Sequence, residues 1–282
     1  MDYLSLLIGL AGLWFGTEIT IRGAITVAAR LGVSEFIVGV AILAIGSDLP
    51  ELAIAVDGAL KNLHGGDTSD VIVGTALGSS LGQIGFVLGV AALLSYLTLP
   101  HGTVYRHGSV LLGSVVLLGV FGLDGWVSQT EGLALVTVYI IYFVALFGDR
   151  NKKASHEDEE GAISMLKAWS YLLVGLIIIM VSAELTVNGA IAVAAALEIS
   201  EAFVAVIIIG LGTSLPELSI SVGAAIKGRA RMSVGNLIGS NVFDTLVPVG
   251  VAAMISGLRF DPNLLRYEVP FLFVLSLIVL VF

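Results

Sequence analysis

Apolar positions along this chain neither alternate nor keep to one helical stripe; they run on for membrane-sized lengths. Ser109 to Val120, Leu133 to Phe147, Ala168 to Val181 and Phe271 to Phe282 contain no charge and no proline. Each approaches the roughly 20 apolar residues that cross a bilayer as a helix. Barrel strands would instead alternate polar and apolar residues over short segments. Hydropathy and breaker residues therefore predict helical spans near 2–28, 34–60, 70–97, 107–122, 127–148, 164–195, 200–226, 232–257 and 265–282, nine in all. The first is a span and not a cleaved signal, because it lacks a basic start and carries Glu18 and Arg22 within it. One hydrophilic stretch, Asp149 to Gly161, has no apolar periodicity and reads as a connector. The division is residues 1–148, a linker at 149–163, and residues 164–282.

The two halves resemble each other. Slid by 166 positions, the separation of Glu51 and Glu217, Glu18 falls on Glu184, Gly23 on Gly189, Ser34 and Glu35 on Ser200 and Glu201, and IGSDLPEL on LGTSLPEL. Past Lys61 the shift drops to 161, the separation of Ser79 and Ser240, because the loop NLHGGDTSD is longer. Gly74, Gly78, Ser79 and Gly89 then meet Gly235, Gly239, Ser240 and Gly250. Five spans per repeat, an odd number, make the second copy enter the membrane from the opposite face, the inverted arrangement of many secondary transporters. The first half has two spans after Gln83, but the second has only one after Asp244. A tenth span is accordingly expected beyond Phe282 or lost from this chain.

Composition agrees and narrows the class. The chain is 57% hydrophobic and 12% charged, with mean hydropathy +1.03, more apolar surface than one soluble core can hide. It has no Cys, and its four His do not fall at zinc-like spacing. A net charge of -9 without a basic stripe argues against nucleic acid. With the N-terminus outside, cytoplasmic loops hold Arg30, Arg106, Arg150, Lys152, Lys153, Lys227, Arg229 and Arg231. Exterior loops then hold only Lys61, Arg259 and Arg266, so this orientation is predicted. Trp14, Trp126 and Trp169 suit interface anchors. Arg22 lies one turn from Glu18, which favours an ion pair there over a gating role.

Chemistry is concentrated in GSDLPEL (Gly46 to Leu52) and GTSLPEL (Gly212 to Leu218). Pro50 and Pro216 lack an amide hydrogen, so both spans should be kinked or broken there, releasing carbonyls near Ala44, Ser47, Gly210 and Thr213. With Glu51 and Glu217 these are the hard oxygen ligands that Ca2+ and Na+ prefer. A carboxylate in the membrane is costly unless paired or metal-bound, and two at equivalent positions point to function. The third and eighth spans carry VGTALGSSLGQIG and VGNLIGSNVFDTL. Their glycines suit close helix packing, while Gln83 and Asp244 share a helical face with Ser79 and Ser240 four residues earlier.

These paired motifs resemble the alpha repeats of the cation/Ca2+ exchanger family, closest to its Na+/Ca2+ branch, over nearly the whole chain. The resemblance implies an all-α integral membrane fold of two inverted five-helix repeats, about ten helices, with ion sites between helices two, three, seven and eight. It implies that Glu51 and Glu217 are central ligands, with the Ser47 and Thr213 carbonyls beside them. Ser79, Ser214, Ser240 and Asp244 and the carbonyls of Ala44 and Gly210 complete the flanking sites. Asp48 stands where the family has Ser, Gln83 where many members have Asn, and Ser80 where Asn is usual. The expected function is Ca2+/Na+ antiport in the plasma membrane, with no enzyme chemistry, no cofactor and no partner beyond ions and lipid. Asp48 leaves H+ as an alternative coupling ion, and a cation channel is the alternative of another class.

Overall fold

The computed structural model describes residues 2–148, 163–197 and 212–281. The helices are α1 (Asp2–Leu31), α2 (Glu35–Ser47), α3 (Leu49–Leu63), α4 (Ser69–Leu94), α5 (His101–Phe121), α6 (Gln129–Gly148), α7 (Met165–Ala196), α8 (Leu215–Ile226), α9 (Ala230–Ser256) and α10 (Leu264–Val281). A two-residue antiparallel pairing of β1 (Trp126–Val127) with β2 (Leu258–Arg259) joins the turns before α6 and α10, an addition to the all-helical expectation. Seven of the described helices are long and apolar enough to cross a bilayer. The bent pair α2–α3 makes an eighth if it is counted as one broken span, and α8 is a shorter apolar helix. The predicted connector at Asp149 to Gly161 and the first part of the seventh span, with Ser200, Glu201 and Gly210, lie outside the described residues.

The chain forms two compact units, each drawing helices from both halves of the sequence. One comprises Met1–Ser47, Val87–Leu97 and Arg150–Leu237, the other Asp48–Phe86, Thr98–Asp149 and Ile238–Phe282. In the first, α1 and α7 run antiparallel with their backbones in close approach. Gly9 and Gly12 lie against Thr186 and Ser182, and Gly23 lies against Ala168 and Leu172. Gly175 lies against Thr20, and Gly189 against Leu6. A Cβ on Gly23 would sit 2.7 Å from the Ala168 carbonyl oxygen, and one on Gly189 2.5 Å from the Leu6 amide nitrogen, so only glycine admits this approach. Lipid gives helices no hydrophobic reason to associate, and small residues that maximise dispersion contact supply one. Under the 166-residue shift Gly9 becomes Gly175 and Thr20 becomes Thr186. The Gly9–Thr186 and Gly175–Thr20 contacts are therefore one contact seen from either repeat, as are Gly23–Leu172 and Gly189–Leu6.

α2 starts at Ser34, whose hydroxyl accepts from the Ile37 amide at 3.3 Å, and widens into a π turn over Gly39–Leu43. It meets the start of α9 backbone to backbone: a Cβ on Gly39 would lie 2.6 Å from the Met232 carbonyl oxygen, and one on Gly235 2.5 Å from that of Phe36. The turn between α8 and α9, with Gly228 at φ +71, carries two cations that clasp neighbouring helices. Lys227 pairs with Glu18 of α1 at 2.5 Å and Arg229 with Glu35 of α2 at 2.8 Å. The expected Glu18–Arg22 pair forms at 3.7 Å, and Lys227 is a partner of Glu18 that local spacing could not supply.

In the second unit α6 packs on α9, where a Cβ on Gly132 would lie 2.6 Å from the Gly250 carbonyl oxygen. Tyr139 meets Phe243 edge to face, with ring centroids 5.5 Å apart. α10 lies along α5, with Leu280 and Val269 over Gly108 and Gly119. His107 of α5 and the Tyr142 hydroxyl of α6 are 3.1 Å apart. α5 begins at His101, earlier than the apolar run, because the Pro100 carbonyl accepts from the Thr103 and Val104 amides. In the most apolar window of α9, 83% of residues are buried, against 11% in α10. α9 is thus a core helix despite its polar residues, and α10 is peripheral.

Candidate functional site

The two LPE motifs fold alike. Asp48 and Ser214, equivalent under the repeat, leave the helical region with near-identical torsions, φ -92 and ψ 5 against φ -93 and ψ 10. Helix restarts at Leu49 and Leu215, with proline in the first turn of each, where its missing N–H costs nothing. The Asp48 and Ser214 carbonyls accept from the Leu52 and Leu218 amides at 3.2 and 2.9 Å. Glu51 and Glu217 therefore stand in the first turns of α3 and α8, where the positive helix end favours a carboxylate. Both are buried, Glu217 completely.

In the first unit, Ala44, Ser47, Ser214 and Glu217 are buried and Thr213 is exposed. The Ala44 carbonyl, expected to be released by the break, accepts the Ser47 hydroxyl at 3.1 Å. The Ser214 hydroxyl is buried with no hydrogen-bond partner among the described residues. Gly210 lies outside them.

In the second unit, Asp48, Glu51, Ser79, Ser80, Gln83, Ser240 and Asp244 are all buried. Gln83 links Ser79, Asp244 and Asn241. Its amide nitrogen donates to Ser79 Oγ at 3.0 Å and to Asp244 Oδ2 at 3.1 Å, and its oxygen accepts from Asn241 Nδ2 at 2.9 Å. The shared face of Ser79 and Gln83 is thus realised as a hydrogen bond. The Ser80 and Ser240 hydroxyls are buried without a partner among the described residues. Backbone follows the same theme. Gln83 opens a π turn to Val87, and Pro248, one turn after Asp244, cannot donate to the Asp244 carbonyl. Both repeats thus loosen the helix at the same place, by different means. Among the described residues no three His, Asp or Glu side chains gather as a metal-holding group. A cation here would draw on carbonyls, hydroxyls and amides as well as carboxylates.

Gln83→Leu keeps the volume but removes the hydrogen bonds that join Gln83 to Ser79, Asp244 and Asn241. A loss of about 2–4 kcal/mol is expected, seen as a lower melting temperature of the purified protein, with Gln83→Asn losing less. An unchanged melting temperature for Gln83→Leu would show that the network carries no stability. Asn241, adjacent to Ser240 in the quoted motif, was not among the predicted ligands. Its role depends on reaching Gln83 on another helix.

Buried carboxylates at breaks in apolar helices, repeated in the two halves, together with helices long and apolar enough to cross a bilayer, define a polytopic membrane protein. The chain matches the family model described as "Sodium/calcium exchanger protein" over residues 1–148 and 167–282, and it belongs to that family. It is 30% identical to an uncharacterized membrane protein of Methanocaldococcus jannaschii, across 98% of this chain and 88% of the relative. It is 28% identical to sodium/calcium exchanger MaX1 of Methanosarcina acetivorans, across 100% of this chain and 91% of the relative. A solved structure of the sodium-calcium exchanger NCX_Mj superposes with TM-score 0.84 at 30% identity, covering 100% of this chain and 90% of that one.

Proposed function

We propose that this chain is a secondary antiporter that exchanges Ca2+ for Na+ across the plasma membrane by alternating access. The observation that carries the reading is the pair of buried carboxylates, Glu51 and Glu217, each in the first turn of a helix restarted at a proline-bearing break. Sodium/calcium exchange is named for MaX1, and the solved NCX_Mj structures are described as soaked with Na+, Ca2+ or Sr2+. Here the two Glu are the central ligands, with the carbonyls of Ala44, Ser47, Gly210 and Thr213, the hydroxyls of Ser79, Ser214 and Ser240, and Gln83, Asp48 and Asp244 completing the cation sites. Ca2+ and Na+ compete for the same oxygens, and exchange follows because the carboxylates are costly to move without a cation.

The antiparallel α1–α7 contact and its self-equivalence under the 166-residue shift support two inverted repeats, residues 1–148 and 164–282, joined by a cytoplasmic linker. The basic-residue asymmetry supports an outside N-terminus. The experiment is 45Ca2+ uptake into proteoliposomes under separate Na+, K+ and H+ gradients. Uptake is expected when Na+ leads outward from the lumen, and not without a counter-ion. Uptake needing no counter-ion would make the protein a channel, and uptake driven only by H+ would give Asp48 the coupling role.

A further inference from the structure

Between α8 and α9, in the first unit, lies a second polar cluster that the exchange sites do not include. Ser221, Ser233 and Asn236 are all fully buried. The Asn236 amide nitrogen donates to Ser221 Oγ at 3.0 Å, and the Ser221 hydroxyl is 3.5 Å from the Ser233 carbonyl it points to. The Asn236 amide oxygen and the Ser233 hydroxyl are buried with no hydrogen-bond partner among the described residues. Such groups cost about 1–3 kcal/mol each when left dry and unpaired, so the cluster is built to hold something that accepts oxygen ligands.

Position says what it serves. Ser221 follows Glu217 by one helical turn on the same face of α8, and Asn236 precedes Ser240 by one turn on α9. The cluster is therefore the next polar level between the Glu217 break and the α8–α9 turn with Lys227 and Arg229. The repeat supplies the contrast. The first-repeat equivalents of Ser221, Ser233 and Asn236 are Ala55, Ile72 and Thr75, and Ala55 and Ile72 are buried apolar contacts. Only the second repeat carries the cluster, so it serves one face of the membrane and not both. Its donor set is neutral. Hydroxyl, carbonyl and amide oxygens without a carboxylate suit a monovalent ion and are too weak in charge to hold Ca2+ against its hydration.

We infer that Ser221, Ser233 and Asn236 form a transit station for a partly dehydrated Na+ on the way between the Glu217 site and the cytoplasmic face. This rests on the Na+/Ca2+ exchange reading and on the outside N-terminus. The test uses the intact chain in proteoliposomes, with Na+ titrated on one face at a time against 45Ca2+ on the other. Vesicle orientation is sorted by an impermeant label. Ser221→Ala and Asn236→Thr install the residues that the first repeat carries at the equivalent places, Ala55 and Thr75, and the melting temperature checks that folding is preserved. Half-saturating Na+ at the cytoplasmic face is expected to rise by about threefold to tenfold, the worth of one or two lost oxygen ligands. The outer-face value and the half-saturating Ca2+ stay as in the wild type. Equal shifts at both faces with a lower melting temperature would make the cluster a packing feature and overturn the station, as would no shift at all. A wild-type arm without Na+-driven Ca2+ movement would instead overturn the exchange reading, and the station's Na+ role with it.

Discussion

Glu51→Gln and Glu217→Gln are each expected to cut Na+-dependent Ca2+ exchange by about two orders of magnitude or more, because each removes a full charge from a poorly screened divalent site. Glutamine keeps the shape and an oxygen, so the variants should remain monodisperse on size exclusion and close to wild type in melting temperature. Relief of a buried charge even favours the folded state slightly. The two effects should be similar in size, since the carboxylates stand at equivalent breaks with matching torsions at Asp48 and Ser214. The measurement is initial 45Ca2+ uptake across a range of Ca2+ concentrations. Near wild-type rate and affinity in either variant would remove that residue from the site.

The second large effect is structural. Gly9→Val and Gly175→Val each drive a branched side chain into the opposite helix of the α1–α7 pair. A single Cβ on Gly175 would already lie 2.9 Å from both the Gly16 carbonyl oxygen and the Thr20 amide nitrogen. Overpacking costs about 1–3 kcal/mol where side chains can yield, and backbone cannot. Loss of most of the monodisperse protein is expected, with a markedly lower melting temperature in what remains. Gly113→Val on α5 is the control, because a Cβ there meets nothing within 4 Å among the described residues. Normal yield of Gly9→Val and Gly175→Val would show that α1 and α7 separate without penalty.

Legibility followed the range of the cause. Proline and glutamate in GSDLPEL and GTSLPEL act on their own helix, so the breaks at Asp48 and Ser214 and the first-turn placement of Glu51 and Glu217 could be read directly. The Ser79–Gln83 hydrogen bond needed only four-residue spacing. The π turn at Gln83–Val87 had no residue type to announce it, since an extra residue in a turn is settled by packing. Asn241 and the Ser221–Asn236 contact join different helices, and Lys227 reaches Glu18 from far along the chain. Spacing within one helix carries no trace of such pairs. The glycines of α1 and α7 were visible as residues, but which backbone approached them was not.

The reciprocal contacts of α1 and α7 also bear on descent. Gly9 faces Thr186 and Gly175 faces Thr20, so each half of the chain supplies to the other the surface it itself requires. If the two halves insert in opposite orientations, as proposed, a half-length ancestor would already have owned this interface as a two-fold homodimer. Joining two such copies leaves a constraint: a bulky change at one of these glycines must be answered in the opposite half. The two copies are free to diverge in ion ligands and loops, as Asp48 and Ser214 have, while their seam binds them to a common inheritance.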